Sequence, residues 1–453
     1  MRPIKVAACV GVAANIALSA CGGGSGTPSA SPAVDVSVPT TSRNVNPALT
    51  GSMATGLAGR VVAGYQGWFG CPGDFDGATT WRHWFSGAAS PATVTVDTFP
   101  DTSAISVGDL CDTGLLRVDG SHLMLFSSQN AEIVKRHFAT MAAAGIGGVA
   151  LQRFVSDLED PALKRRADHV LSLVRTAAAQ SGVPFFVTYD VTGAGAKAVD
   201  IVRADWRDLH DKSTLFNDAA YLTDGGKPVV EIWGLGFLGN PGTPAQAAAL
   251  LSDLRAGANG LAAATTIGGV PTNWRTLDGD AQPDAAWSAL YLMFDVLSPW
   301  MVGRVHDEAS TASMYASRVQ DDMQALSSTS IRYLPVIFPG FSNYNLMQYD
   351  RKAAAAKLND IPRQCGRLLW SQADAALATG ATSIYLAMFD EFDEGTAVLP
   401  IVNRTGLPAG MQGVGRDEDG CNPAPDWYLT LVQRISGGLA AGQTVIGAMP
   451  QSP

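Results

Sequence analysis

The chain has 453 residues, 47% of them hydrophobic, which is long for one ordinary domain but within the range of an α/β barrel. Its 31 basic and 41 acidic residues give a net charge of −10, and no Lys/Arg run stands out. That balance argues against a nucleic-acid binder; neutral ligands such as sugars fit it, although charge alone does not choose them.

The first twenty residues read as an export address. Arg2 and Lys5 give a positive start, Val6 to Leu18 is mostly apolar, and Leu18-Ser19-Ala20 places small residues directly before Cys21. The run is too short for a membrane span and ends like a cleavage site. The cysteine makes the pattern resemble a bacterial lipobox, which implies a diacylglycerol on Cys21 and removal of residues 1–20. An ordinary signal peptide with a chance cysteine is the alternative. Removing Arg2 and Lys5 leaves 29 basic against 41 acidic residues, near −12. Residues 21–55 are rich in Gly, Ser, Thr, Pro and Ala, without helical period. They read as a lipid anchor followed by a flexible tether.

The body spans about residues 56–440, with a tail at 441–453. Apolar runs occur at Val61–Phe69, Gly148–Phe154, Pro184–Tyr189, Pro228–Trp233, Leu261–Ile267, Leu292–Leu297, Tyr333–Phe338 and Ile384–Phe389. Their lack of strict alternation suits strands covered on both faces. Helical patterns lie between them at Ala131–Ala144, Ala162–Ala179, Pro244–Arg255, Thr311–Ser327 and Pro362–Thr379. Gly145, Gly182, Gly257 and Gly380 stand where helix stops belong. Eight such units point to an α/β protein with a closed (β/α)8, TIM-like barrel. A doubly wound open sheet is the alternative, but no G-x-G-x-x-G fingerprint follows the first run. Residues 70–125 depart most from a βα unit and read as a long loop or small subdomain after the first strand.

Cys9 leaves with the signal and Cys21 carries the lipid, so Cys71, Cys111, Cys365 and Cys421 remain. Pairing Cys71 with Cys111 and Cys365 with Cys421 would close nearby loops, in an oxidising compartment. A metal site is the alternative, but the spacings resemble no zinc pattern.

Barrel enzymes place their sites at the carboxyl ends of the strands. There the sequence offers Tyr65 and Trp68, then Gln152 and Arg153, Asp190, Glu231 and Trp233, Trp274, Trp300, and finally Asp390-Glu391-Phe392-Asp393-Glu394-Gly395. Rings interleaved with carboxylates suit carbohydrate: sugar C–H faces pack on rings, and hydroxyls need polar partners. Any one Trp could equally be core or lid packing. Four carboxylates within Asp390–Glu394 repel one another, which raises at least one pKa and suits acid–base chemistry. A solvated acidic loop or a calcium site is the bland reading. Three residues apart on a tight turn, Glu391 and Glu394 can share a face at about 5–6 Å, the spacing of a retaining glycosidase pair. His83, within Trp81-Arg82-His83-Trp84, suits a hydrogen bond in an aromatic loop better than a metal. No His-x-x-x-His pair or Gly-x-Ser-x-Gly elbow is present, and no cofactor or metal is called for.

Several elements carry a resemblance. Gly64–Phe69, Trp81–Trp84, Gly269–Arg275 and Leu334–Phe341 resemble bacterial and fungal proteins labelled as family 71 or family 99-like glycoside hydrolases. Phe389-Asp390-Glu391-Phe392-Asp393-Glu394-Gly395-Thr396 is similar to the Asn-Glu-Trp-His-Glu-Gly-Thr element of the family 99 endo-α-mannosidases. The resemblance implies Glu391 as base and Glu394 as acid/base, acting through a 1,2-anhydro sugar with retention. Tyr65 and Trp68 match its first aromatic element, and Asp190 falls where the family has a glutamate. Here Asp390 stands for an asparagine and Asp393 for a histidine, so activity on α-mannan is not implied. Tyr65, Trp68, Arg153, Asp190, Trp233, Trp274, Asp390 and Asp393 are therefore the expected subsite residues. The leading expectation is an exported, monomeric, membrane-anchored glycosidase acting on an oligo- or polysaccharide. A non-catalytic sugar-binding lipoprotein and a metal-dependent hydrolase are the competing readings.

Overall fold

The computed structural model describes residues 55–349 and 356–452. The signal segment, Cys21 and the tether through residue 54 lie outside the described residues. Among the described residues, no helix is long and apolar enough to cross a membrane.

The chain forms β1 (Arg60–Tyr65), the hairpin β2 (Leu110–Leu116) and β3 (His122–Phe126), α1 (Ala131–Ala143), β4 (Gly148–Phe154), α2 (Pro161–Ser181), β5 (Phe185–Asp190) and α3 (Ala198–Asp211). It continues through β6 (Thr223–Asp224), β7 (Lys227–Trp233), α4 (Pro244–Ala256), β8 (Thr265–Val270), α5 (Ala286–Tyr291) and β9 (Val296–Pro299). The last part holds α6 (Glu308–Met314), α7 (Gln320–Leu326), β10 (Arg332–Tyr333), β11 (Val336–Ile337), α8 (Tyr344–Tyr349), α9 (Arg367–Ala378), β12 (Ser383–Leu386) and α10 (Trp427–Ala440).

Parallel pairing runs β10-β9-β8-β7-β5-β4-β1-β12-β11. The two ends of that path, β10 and β11, are one chain segment interrupted by Leu334-Pro335. Its first half pairs with β9 and its second with β12, so the sheet closes on itself. Pro335 has no N–H for a ladder, but its carbonyl accepts from Tyr385 N at 2.8 Å, on the β12 side. The result is the eight-unit (β/α) barrel that the apolar runs imply.

Local chemistry sets the element ends. Asp160 accepts from the N–H groups of Ala162 and Leu163, and Pro161 opens α2. Thr243 and Gln246 form a capping box at α4. Gly145, Gly182, Gly257 and Gly380 all have left-handed φ after their helices. The fifth strand begins at Thr265, not Leu261. The sixth begins at Val296, because the turn of helix through Tyr291 takes Leu292 as its C-cap and leaves it exposed. The first run stops being strand at Tyr65, where Gly67 at φ 61° turns the chain. The helices α3 and α10 are additions to the helical patterns anticipated above.

Two large apolar clusters form, beside a small one at Leu346 and Met347. The larger fills the barrel and its helix layer. The second joins residues 68–126 to the last loop, through Trp68, Phe69, Trp84, Phe99, Phe126 and Phe392. Residues 70–125 therefore pack as a small unit over the barrel mouth, and the Cys71–Cys111 disulfide ties it to β2. A second disulfide joins Cys365 to Cys421.

Candidate active site

Side chains alternate along each barrel strand, so a residue faces either the barrel axis or the helices. Gln152, Asp190, Trp233 and Tyr385 face the axis, at the carboxyl ends of β4, β5, β7 and β12. With Gln66, Trp68, Trp300, Leu346, Met388, Glu391, Asp393, Glu394 and Thr396 they border a cleft of about 580 Å³ when the open solvent at its mouth is counted. Six expected site residues meet there: Trp68, Asp190, Trp233, Glu391, Asp393 and Glu394.

Four expected residues do not line it. Tyr65 points towards the helices; its hydroxyl lies 3.0 Å from His137 Nδ1 and its ring packs on Phe138. Arg153 is one strand position out of phase with Gln152. It donates to Asp205 at 2.9 and 2.7 Å and to Asp168 at 2.8 Å, a buried network behind the sheet. Trp274 sits on a turn that folds outward, where its indole N–H donates to Asp322 at 3.0 Å. Asp390 is wholly buried and accepts from the backbone N–H of Gln66 at 2.7 Å and of Gly67 at 3.0 Å. It fastens the turn after β1 to the loop after β12, and burial pushes its pKa up to about 7 against those two hydrogen bonds.

Glu391 is held on both oxygens. Its Oε1 accepts from the N–H of Asp393 at 2.8 Å and of Glu394 at 3.3 Å, and its Oε2 accepts from the Gln66 amide. Burial, then the carboxyls of Asp393, Glu394 and Asp390, drive its pKa well upward, and the Asp393 N–H pulls the other way. Among the described residues no donor meets the Glu394 carboxyl; burial, Asp393 and Asp190 push it up to about 8. A buried cluster of this kind cannot hold every charge at once. The charge that remains is best placed on Glu391, where three donors are aimed, and the proton on Glu394.

Asp393 carries a further partner. His83 Nδ1 lies 2.7 Å from its Oδ2, and the His83 ring stacks on Trp68 at 4.0 Å. Burial and the nearby Arg166 pull His83 down to about 3, so the imidazole is neutral, and in its Nδ1–H tautomer it donates to Asp393. Trp68 is sandwiched between His83 and Phe154, while Trp233 meets Trp300 edge to face at 5.3 Å. Residues bordering this cleft also carry buried polar atoms without a partner among the described residues: Gln66 Oε1, the indole nitrogens of Trp68 and Trp233, Asp393 Oδ1 and Thr396 Oγ1. Such atoms are costly unless a ligand or water meets them. Below them, Glu231 accepts from Thr188 and is pushed by burial and Asp190 up to about 8.

Gln66, Gln152, Tyr385 and Leu346 were not singled out as site residues. The parity of the strands, once known, identifies the first three; Leu346 arrives on α8 from the other side of the barrel. Among the described residues, no three His, Cys, Asp or Glu side chains converge in a metal-holding arrangement.

No family model matches the sequence, and neither does any curated protein. Two solved structures of a GH99 endo-alpha-mannosidase from Bacteroides thetaiotaomicron are similar in fold. One, bound to bis-tris-propane, has a TM-score of 0.58 at 18% identity; the other has 0.60 at 17%. Each comparison covers 85% of this chain and 99% of the other. This chain therefore has the fold of the family 99 endo-α-mannosidases, at long sequence distance.

Proposed function

We propose that the protein is an exported glycoside hydrolase that cleaves a glycosidic bond with retention. The observation that carries this reading is the meeting of Glu391 and Glu394 with Trp68, Trp233 and Trp300 in one cleft at the carboxyl end of the barrel. The rings offer stacking faces, and the unpartnered polar atoms offer positions for hydroxyls.

Glu391 takes the proton of the 2-hydroxyl, and that oxygen attacks the anomeric carbon to form a 1,2-anhydro sugar. Glu394 donates its proton to the departing glycosidic oxygen. It then removes a proton from water, which opens the anhydro ring, while Glu391 returns a proton to the 2-oxygen. The donors around Glu391 support its role as the charged base. The burial of Glu394 beside Asp393 and Asp190 supports its role as the protonated acid. Cys21, lipidated, would hold the enzyme to a membrane by the tether.

On a substrate found by screening a glycan panel, Glu391→Gln and Glu394→Gln should each lose about 10²–10⁴-fold in kcat while still binding sugar. A 2-deoxy version of that substrate should not turn over. Activity retained in either variant would overturn the assignment.

A further inference from the structure

The cleft continues beyond its carboxylates. A second cavity, about 810 Å³ when the open solvent at its mouth is counted, adjoins it across the Trp68–His83 stack, and Trp68, Leu346 and Asp393 border both. The two spaces differ in charge. Among the described residues no Lys or Arg borders the first, which holds Asp190, Glu391, Asp393 and Glu394. Arg82 and Arg166 both border the second, with Asp157 and Asp393.

Arg166 is only 6% exposed, and a guanidinium carries five N–H donors. Its Nη2 donates to Asp157 at 2.8 Å, and among the described residues no further acceptor is found for it. Arg82 spends its Nε on the buried Asp76 at 2.8 Å, and its two Nη groups have no acceptor among the described residues. Each guanidinium is already paired with one carboxylate, Arg166 with Asp157 and Arg82 with Asp76, and both border the same cavity. A neutral hydroxyl could accept one of the spare N–H groups; an anionic oxygen pair could accept from both guanidiniums through charge-assisted hydrogen bonds. Trp81, Phe85 and Phe154 supply apolar walls against which a sugar ring could lie.

We propose that this second cavity is a subsite for the sugar next to the cleaved bond, and that it selects a sugar carrying an anionic group, a carboxylate or a sulfate, through Arg82 and Arg166. The inference rests on the reading of the first cleft as a glycosidase site.

The test uses the full chain with Glu394→Gln, so that ligands bind without turnover. Calorimetry would compare uronate-containing oligosaccharides with their carboxyl-reduced counterparts, and sulfated oligosaccharides with desulfated ones. In one of the two series the acidic member should bind about tenfold to a hundredfold more tightly, which names the group. The preference should shrink as salt is raised. Adding Arg82→Gln or Arg166→Gln should erase it, with neutral-sugar affinity changed by no more than about twofold. If Arg166→Gln does not fold, Arg82→Gln carries the comparison. Equal affinity in both series, or a preference that survives loss of Arg82, overturns the subsite. Turnover of neutral glycans by the unaltered chain with no acidic preference would sink this inference and leave the glycosidase standing. Tight acidic binding with no turnover of any bound glycan would do the reverse.

Discussion

His83 reaches the site from a loop more than three hundred positions away from its partner Asp393. Where the resembling family has a histidine in its last element, this chain has Asp393, and an imidazole arrives from elsewhere. Burial and the neighbouring Asp97 push the Asp393 carboxyl well above the ordinary range, and an Nδ1–H donated by His83 works against that shift by favouring its ionised form. Whatever charge Asp393 carries helps burial keep the proton on Glu394, so losing the bond lowers that share and moves Glu394 towards ordinary carboxyl values. His83→Phe, which keeps a ring for Trp68 to stack on, should therefore move the alkaline limb of kcat/KM below the region of pH 8 set by Glu394. His83→Asn tolerates the left-handed backbone at φ 61° and can still donate, so it should restore much of the profile. An unmoved alkaline limb in His83→Phe would show that the pair is packing alone.

At the scale of elements, the mouth of the barrel is assembled from three separate pieces of chain. Asp390 ties the turn after β1 to the loop after β12. Asp97, wholly buried in the 70–125 unit, accepts from Ser342 Oγ and from the N–H groups of Tyr344 at 2.6 Å and Asn345 at 2.8 Å. It thereby fixes the start of α8, which carries Leu346 into the cleft. Asp97→Ala leaves those donors buried without an acceptor and should cost about 3 kcal/mol. Urea denaturation would read that loss, and KM on an identified substrate should rise as Leu346 loosens. A variant of unchanged stability and KM would refute this role. The apolar runs and the helix-stop glycines made the β/α alternation legible in sequence. They did not include β6, which is only two residues long, or α3 and α10, although the buried Val199, Val202, Trp206 and Leu209 of α3 keep a helical apolar period.

For the whole molecule, the site is a standing electrostatic load. Asp390 is raised to about 7, and Glu231 and Glu394 to about 8, from ordinary values of 3.8 and 4.5. The folded state thus binds these protons more tightly than the unfolded chain does. The corresponding stability is fully present below about pH 4 and is lost as pH rises through 7 to 8. Thermal unfolding of the unliganded protein should therefore fall by several degrees between pH 5 and pH 9. Glu394→Gln, which cannot ionise, should flatten that slope; an equal slope would count against the burial argument. Anchoring belongs to the same scale. Cys21→Ser should release the protein from the membrane fraction, and a variant that stays bound after normal processing would exclude lipidation.

The sequence by itself determined the eight apolar runs, the long insertion after the first strand, the cysteine partners and the carboxylate cluster after the last strand, because these are local in composition and spacing. It did not determine which of two neighbouring strand residues faces the axis. A one-residue change of phase exchanges barrel interior for helix layer, which is why Gln152 lines the cleft and Arg153 is buried behind it. Tyr65 and Asp390 turned out to brace the site from outside for the same reason. The partnership of His83 with Asp393, and the cavity that gathers Arg82 and Arg166 beside the acidic cleft, join residues far apart in the chain. Only the closed barrel with its overlying loops brings them together, so only the tertiary structure decides them.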